Sequence, residues 1–103
     1  MVVSKKTGKK EEFDISKVRR SIANAGSDCN IMLTESDLLN VCRMIENTMK
    51  AMEKEETSSY EIFGLVVFKL RELNYTEVVH SYIRGALGIT NLLYLKLLLY
   101  KNV

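Results

Sequence analysis

The sequence has 103 residues, enough for one domain with one modest core. Hydrophobic residues make up 47% and charged residues 27%, which is ordinary for a soluble globular protein. Its two cysteines lack CxxC spacing and it has one histidine, so we expect neither a disulfide framework nor a structural zinc site. The cysteine usage suits a reducing compartment and the first 20 residues are charged throughout, so we expect a cytoplasmic protein without a signal peptide.

The net charge of +2 is unevenly distributed along the chain. Residues 1–20 contain seven basic and three acidic side chains, whereas residues 21–103 contain eight basic and ten acidic ones. This concentration of positive charge predicts an anionic partner at the N-terminal end: nucleotide phosphates, nucleic acid or an acidic protein surface. A simple solvated basic terminus is the alternative.

Two short strands are predicted at residues 1–4 and 10–13. Gly8 lies between them and can adopt the positive φ that a hairpin turn requires. Because two strands alone are marginally stable in water, we expect the hairpin to pack on the helices that follow.

The first two predicted helices are amphipathic. The first follows Asp14, a favourable N-cap residue, and is predicted to end at residues 25–27. The second opens with Thr34 and Asp37, which resemble a capping box with a shorter acid. Its apolar residues alternate four and three positions apart and predict a core-facing seam of Leu38, Cys42, Ile45, Met49 and Met52.

The third predicted helix follows a short acidic connection at residues 53–56 and has the capping-box pattern of Ser58 and Glu61. It is apolar on most sides, which predicts a central position. A fourth helix is predicted from residues 76–77. Beyond it, residues 89–100 are unusually apolar but too few to span a bilayer, which takes about 20 residues. They predict either the end of the core or an oligomerisation surface.

No catalytic motif is present in the sequence. There is no GxxxxGK[ST] loop and no Ser-His-Asp or Cys-His arrangement. The single histidine, His80, fits a helix residue better than a general base. We therefore expect a protein that is not an enzyme.

An ordered set of short motifs carries a family resemblance. They are Val-Ser-Lys-Lys-Thr-Gly at residues 3–8, Glu11, Phe-Asp at 13–14, Lys-Val-Arg-Arg-Ser-Ile at 17–22, Thr-Ser-Ser at 57–59 with Ile62, and Tyr-Ile-Arg at 82–84. Together they resemble the ATP-cone, a nucleotide-binding regulatory domain of ribonucleotide reductases and of a bacterial repressor of reductase genes. The resemblance covers residues 1 to about 87.

The resemblance implies an α+β fold that is mainly helical: a four-helix bundle capped by a small N-terminal β-hairpin or three-stranded sheet. It implies one domain over residues 1–103, with residues 88–103 as a divergent apolar helical extension. The implied ligand is ATP or dATP with Mg²⁺. The resemblance implies that the nucleotide changes oligomerisation of the chain or its docking on a ribonucleotide reductase-type partner. We expect no membrane partner.

The charges predict where a triphosphate binds. Lys5, Lys6 and Lys17 can converge on one side of the hairpin, and the first helix adds free backbone N–H groups and its positive end. Loss of Lys5 or Lys17 is expected to cost about 1.5–3 kcal/mol of binding.

The resemblance assigns the remaining site residues. It implies that Val3 lines the base pocket and that Ser59 lies beside the nucleotide. It also implies that Glu11 and the chain near Asp14 accept a hydrogen bond from the adenine amino group.

Two departures from the family pattern leave alternatives open. Lys6 replaces an arginine, which retains the charge but loses bidentate contact. A basic residue late in the fourth helix is missing in register, so either Lys96 replaces it or the contact is absent. The alternatives are a helical adaptor with a decayed nucleotide site and a nucleic-acid-binding module, although interleaved aromatic residues and helix-turn-helix spacing are not visible.

Overall fold

The computed structural model of the protein describes residues 1–5 and 7–87. The strands and helices are, in chain order, β1 (Val2–Ser4), β2 (Lys10–Glu12), α1 (Ile15–Asp28), α2 (Glu35–Ala51), β3 (Glu56–Ser58), α3 (Ser59–Glu72) and α4 (Thr76–Leu87). The predicted α+β, mainly helical class is confirmed, with a small sheet at the N-terminal end. The predictions for Lys6, Lys96 and residues 89–100 lie outside the described residues.

The three-stranded sheet has β1 at its centre. β2 pairs antiparallel with β1 and places Glu11 opposite Val3, while β3 pairs parallel and places Thr57 opposite Val3. The hairpin turn contains Gly8 at a φ of 84°, as its sequence position predicts. The resemblance allows for a third strand, but the sequence pattern does not locate it, because Glu56–Ser58 contains no apolar residue.

The predicted helix starts are confirmed by their caps. The Asp14 carboxylate accepts a hydrogen bond from the Ser16 N–H at 3.0 Å. Thr34 and Asp37 form a complete capping box, in which each side chain accepts the other residue's N–H at 3.0 Å. These bonds satisfy backbone donors that a helix leaves free, so the first turn can be predicted from local sequence.

The predicted end of α1 at residues 25–27 is wrong, because the helix continues to Asp28. Gly26 is buried inside the helix and its carbonyl accepts the Ile31 N–H at 2.8 Å. A Cβ atom on Gly26 would lie 2.7 Å from the Ile31 carbonyl oxygen. The glycine therefore permits the following loop to pack closely on α1, and does not terminate the helix.

The core lies between the four helices. Its fully buried side chains come from every helix: Ile22, Val41, Ile45, Val66, Leu70 and Val78. The predicted seam of α2 is confirmed at its first four positions, but Met52 follows the helix as its C-cap and is only half-buried. Among the described helices none is long and apolar enough to cross a membrane.

Helix α3 is less central than its composition predicts. Within it only Val66 and Leu70 are buried, whereas Tyr60 and Phe68 are 64% and 57% exposed. Gly64 lies four residues from each of them, so the three residues share one face. Apart from its two chain neighbours and the backbone of its own helix, no heavy atom of the described chain lies within 4 Å of the position that a Cβ on Gly64 would occupy. One side of α3 therefore packs on the core and the other presents aromatic side chains to solvent.

The turn before β3 contains a strained position that can be tested. Glu53 has a φ of 53°, and the other described non-glycine residues with positive φ, Asn30 and Asn74, are asparagines. We expect Glu53→Asn to raise the free energy of unfolding by about 0.5–1 kcal/mol, because asparagine tolerates left-handed backbone better than glutamate. Urea unfolding measures the change. Glu55→Asn, at an exposed position without positive φ, is the control, and equal stabilities of the two variants would contradict the prediction.

Candidate functional site

A cavity of about 390 Å³ opens between the sheet, the starts of α1 and α3, and α4. Its lining contains every predicted site residue that the structure describes: Val3, Lys5, Glu11, Asp14, Lys17 and Ser59. Lys6 lies outside the described residues. Residues of two strands and two helices, separated by more than 50 positions in the chain, thus converge on one cavity. Their contacts with a nucleotide stay a prediction.

The pairing of the strands explains why the hairpin residues meet there. Residues two apart on extended chain share a face, and Lys5 directly follows β1, so Val3 and Lys5 lie on the same side. Glu11 is directly opposite Val3 and shares that face across the ladder. Lys17 approaches from the first turn of α1. The sheet therefore brings one apolar and two charged residues to the cavity, and the helix adds a second cation.

The charged part of the cavity is centred on one oxygen atom. Glu11 Oε1 lies 3.0 Å from Lys5 Nζ and 3.2 Å from Lys17 Nζ. The hydrogen bonds from Lys5 and Lys17 lower the pKa of the Glu11 carboxyl group. The lysine side chains remain about half exposed, at 44% and 57%. Two ammonium groups that share a single anionic oxygen form an anion-binding arrangement.

The apolar part of the cavity contains a pair of stacked rings. Phe63 and Tyr82 have ring centroids 5.7 Å apart and planes 20° apart. Burial raises the pKa of Tyr82, and the nearby Ser21 side chain partly opposes this rise. In the sequence Phe63 is one of several apolar residues of the third helix, and the motifs do not assign it to the site. The available signal was its position one helical turn after Ser59, on the same face of α3.

Ser59, the first residue of α3, has a buried hydroxyl oxygen without a hydrogen-bond partner. Within the described part of the chain, no other buried side-chain polar atom lacks a hydrogen-bond partner. A buried hydroxyl without a partner is energetically unfavourable, and this one belongs to the cavity lining. The site therefore contains a polar group that a ligand could satisfy.

Asp14 also lines the cavity, but its carboxylate is already engaged. Its Oδ1 accepts hydrogen bonds from the Ser16 N–H at 3.0 Å and the Ser16 hydroxyl at 2.6 Å, and these bonds lower the pKa of the Asp14 carboxyl group. The Lys17 N–H donates to the Asp14 carbonyl at 3.1 Å. The expectation that the first helix presents free N–H groups to a ligand therefore needs correction, since its own cap occupies two of them.

A comparison with protein families identifies the family of the chain. The family model of the ATP cone domain matches residues 1–84 of the chain. The chain therefore belongs to the ATP-cone family. ATP-cone domains bind ATP or dATP as allosteric effectors, so the chain is a nucleotide-binding regulatory domain. A search of curated proteins finds no match.

Two adjacent serines provide a test of the unsatisfied hydroxyl. We expect Ser59→Ala to raise the free energy of unfolding of the nucleotide-free domain by about 0.5–1 kcal/mol, because it removes a buried hydroxyl that has no partner. We expect Ser58→Ala to lower it by about 1 kcal/mol, because the Ser58 hydroxyl caps α3 by accepting the Glu61 N–H. Urea unfolding of both variants measures the difference. Equal destabilisation by the two substitutions would show that the Ser59 hydroxyl has a partner.

Proposed function

We propose that the chain is an allosteric switch in which ATP or dATP binds in the cavity and changes association of the domain. We further propose that the switch acts on ribonucleotide reductase activity or expression, in the cytoplasm, and catalyses no reaction itself. The observation that carries the proposal is the convergence of the predicted residues on one cavity beside an unsatisfied Ser59 hydroxyl.

Lys5 and Lys17 are proposed to bind the nucleotide phosphates. Both ammonium groups already lie within hydrogen-bond distance of the same carboxylate oxygen. A phosphate oxygen in that position would receive the same two charge-assisted hydrogen bonds. Lys6, the next residue after Lys5, is proposed as a third cation for the phosphates.

The base is proposed to lie on the apolar part of the cavity. Val3 and the Phe63–Tyr82 pair supply a surface against which a flat ring can pack. Glu11 and the chain at Asp14 are proposed to accept the adenine amino group, and the Ser59 hydroxyl to hydrogen-bond the nucleotide. For Glu11, this role requires the carboxylate to leave the lysines it contacts in the nucleotide-free domain.

The charges favour a nucleotide that enters as its Mg²⁺ complex. The described lining contains Lys5 and Lys17 against the carboxylates of Glu11, Glu12 and Asp14, so these side chains carry a net negative charge. A free triphosphate carries about four negative charges, which a bound Mg²⁺ ion partly neutralises. No three metal-ligating side chains cluster among the described residues, so we propose that the phosphates hold the ion.

Helix α3 is proposed to transmit the nucleotide signal. Ser59 begins this helix inside the cavity, and Tyr60 both lines the cavity and is 64% exposed. The exposed aromatic face continues to Phe68 at the other end of the helix. A nucleotide at the start of α3 would therefore contact the helix whose exposed face is proposed to bind a second copy or a reductase-type partner. The switch requires different nucleotide affinities in the free and associated states.

Titration calorimetry with Lys17→Ala tests the binding site. We expect the variant to bind ATP and dATP about 10- to 100-fold more weakly than wild type, because a charge-assisted phosphate contact is lost. Lys50→Ala, at an exposed position on α2 away from the cavity, should bind both nucleotides as wild type does.

A duplex DNA titrant in the same experiment distinguishes the nucleic-acid alternative. Wild type that binds the duplex but neither nucleotide would contradict the proposed function. Binding of nucleotides that is equally strong in Lys17→Ala and wild type would instead place the nucleotide elsewhere on the protein.

Sedimentation velocity tests the output through α3. We expect ATP or dATP to shift the mass distribution of the wild-type domain, because the nucleotide favours one association state. Phe68→Ser should abolish the shift while retaining nucleotide affinity, since Phe68 is exposed and does not line the cavity. Leu39→Ser, which alters an equally exposed apolar residue on α2, is the control. Identical distributions with and without both nucleotides would contradict nucleotide-dependent self-association.

A further inference from the structure

The two lysines at the charged end of the cavity are occupied by a carboxylate of the chain itself. Glu11 Oε1 is 3.0 Å from Lys5 Nζ and 3.2 Å from Lys17 Nζ. The Glu11 side chain is only 28% exposed, so its carboxylate lies within the site. Among the ion pairs of the described residues, this is the one carboxylate oxygen shared by two lysines.

The backbone keeps this carboxylate beside the lysines. Glu11 is in the middle of β2 and paired with Val3 of the central strand, so its Cβ cannot leave the cavity face without breaking the ladder. A phosphate oxygen that binds both ammonium groups would occupy the place of Oε1. Two anionic oxygens at hydrogen-bond distance repel each other, so the phosphate and the carboxylate cannot both remain there.

We propose that Glu11 is the resident counter-ion of the phosphate-binding end, which a polyphosphate must displace before it can bind. This inference rests on the proposed function, because it takes Lys5 and Lys17 as the phosphate ligands. Its consequence is selectivity against anions that carry no base. An inorganic polyphosphate must break both Glu11–lysine pairs and offers no donor to the released carboxylate, whereas a nucleotide with an amino group on its base offers one.

The neighbouring glutamate provides a matched control. Glu12 also lines the cavity and carries the same charge, one position along the same strand. Its Oε1 pairs with the Met1 amino group at 2.8 Å and not with the site lysines. Glu12→Gln therefore removes the same charge from the same cavity without releasing Lys5 or Lys17, and it measures the general effect of charge.

Titration calorimetry with inorganic tripolyphosphate tests the proposal, in Mg²⁺-free buffer at low ionic strength. We expect Glu11→Gln to bind tripolyphosphate about five-fold more tightly than wild type, because both lysines are released from their counter-ion. Glu12→Gln should lie within about two-fold of wild type, because only the long-range field changes. Glu11→Asp, which retains the charge but withdraws it by one methylene group, should lie between wild type and Glu11→Gln.

The other outcomes overturn the proposal. Unchanged or weaker binding by Glu11→Gln would show that Glu11 positions the lysines for phosphate and does not compete with it. An equal gain in Glu12→Gln would show that any lost carboxylate has the same effect. If Glu11→Gln does not fold, Glu11→Asp decides the question. The proposal is also overturned if Glu11→Asp binds tripolyphosphate no more tightly than wild type does.

Titration of ATP into wild type separates this inference from the proposed function. Absence of ATP binding contradicts the proposed function whatever tripolyphosphate does. If wild type binds ATP but Glu11→Gln binds tripolyphosphate no more tightly than wild type does, only the counter-ion role of Glu11 is contradicted.

Discussion

The pairing of β1 with both of its neighbours is the constraint on which the site depends. The antiparallel ladder to β2 places Glu11 beside Lys5, and the parallel ladder to β3 places Ser58 and Ser59 at the other side of the same strand. Ser4 adds a side-chain bond to the Thr57 carbonyl at 3.2 Å across the parallel pair. Because each strand has only three residues, the helices below must hold the sheet in place.

The site formed by this sheet satisfies most of its charges internally. Glu11 binds two lysines, and Asp14 binds the backbone and hydroxyl of Ser16. The Ser59 hydroxyl, by contrast, has no partner. A nucleotide bound as proposed would therefore have to exchange with existing ion pairs around Lys5 and Lys17, while it would supply a missing hydrogen bond at the start of α3. Such exchange makes affinity depend on the whole ligand and not on its charge alone.

Local features of the fold could be predicted because their causes are local. The caps at Asp14, Thr34 and Ser58 each involve residues within three positions, and all three were predictable from the sequence. The family motifs nominated six described residues that the structure brings to one cavity, and their contacts with a nucleotide stay a prediction. Strand β3 and the role of Gly26 were not predictable, since both depend on contacts with distant chain or with the next loop. Phe63 was missed because nothing in the neighbouring sequence distinguishes it from the other apolar residues of the same helix.

The sequence by itself determined the order of the hairpin and the four helices and the N-caps of the first three helices, because propensities and capping act over a few residues. Its motifs also nominated the candidate site residues through the family resemblance. Only the tertiary structure decided that the described site residues share one cavity, that two of the N-terminal donors of the first helix are taken by its own cap, and which face of α3 is left exposed. It also decided how Glu11 relates to the lysines. The sequence shows a glutamate near basic residues, and only the β1–β2 register places its carboxylate between Lys5 and Lys17.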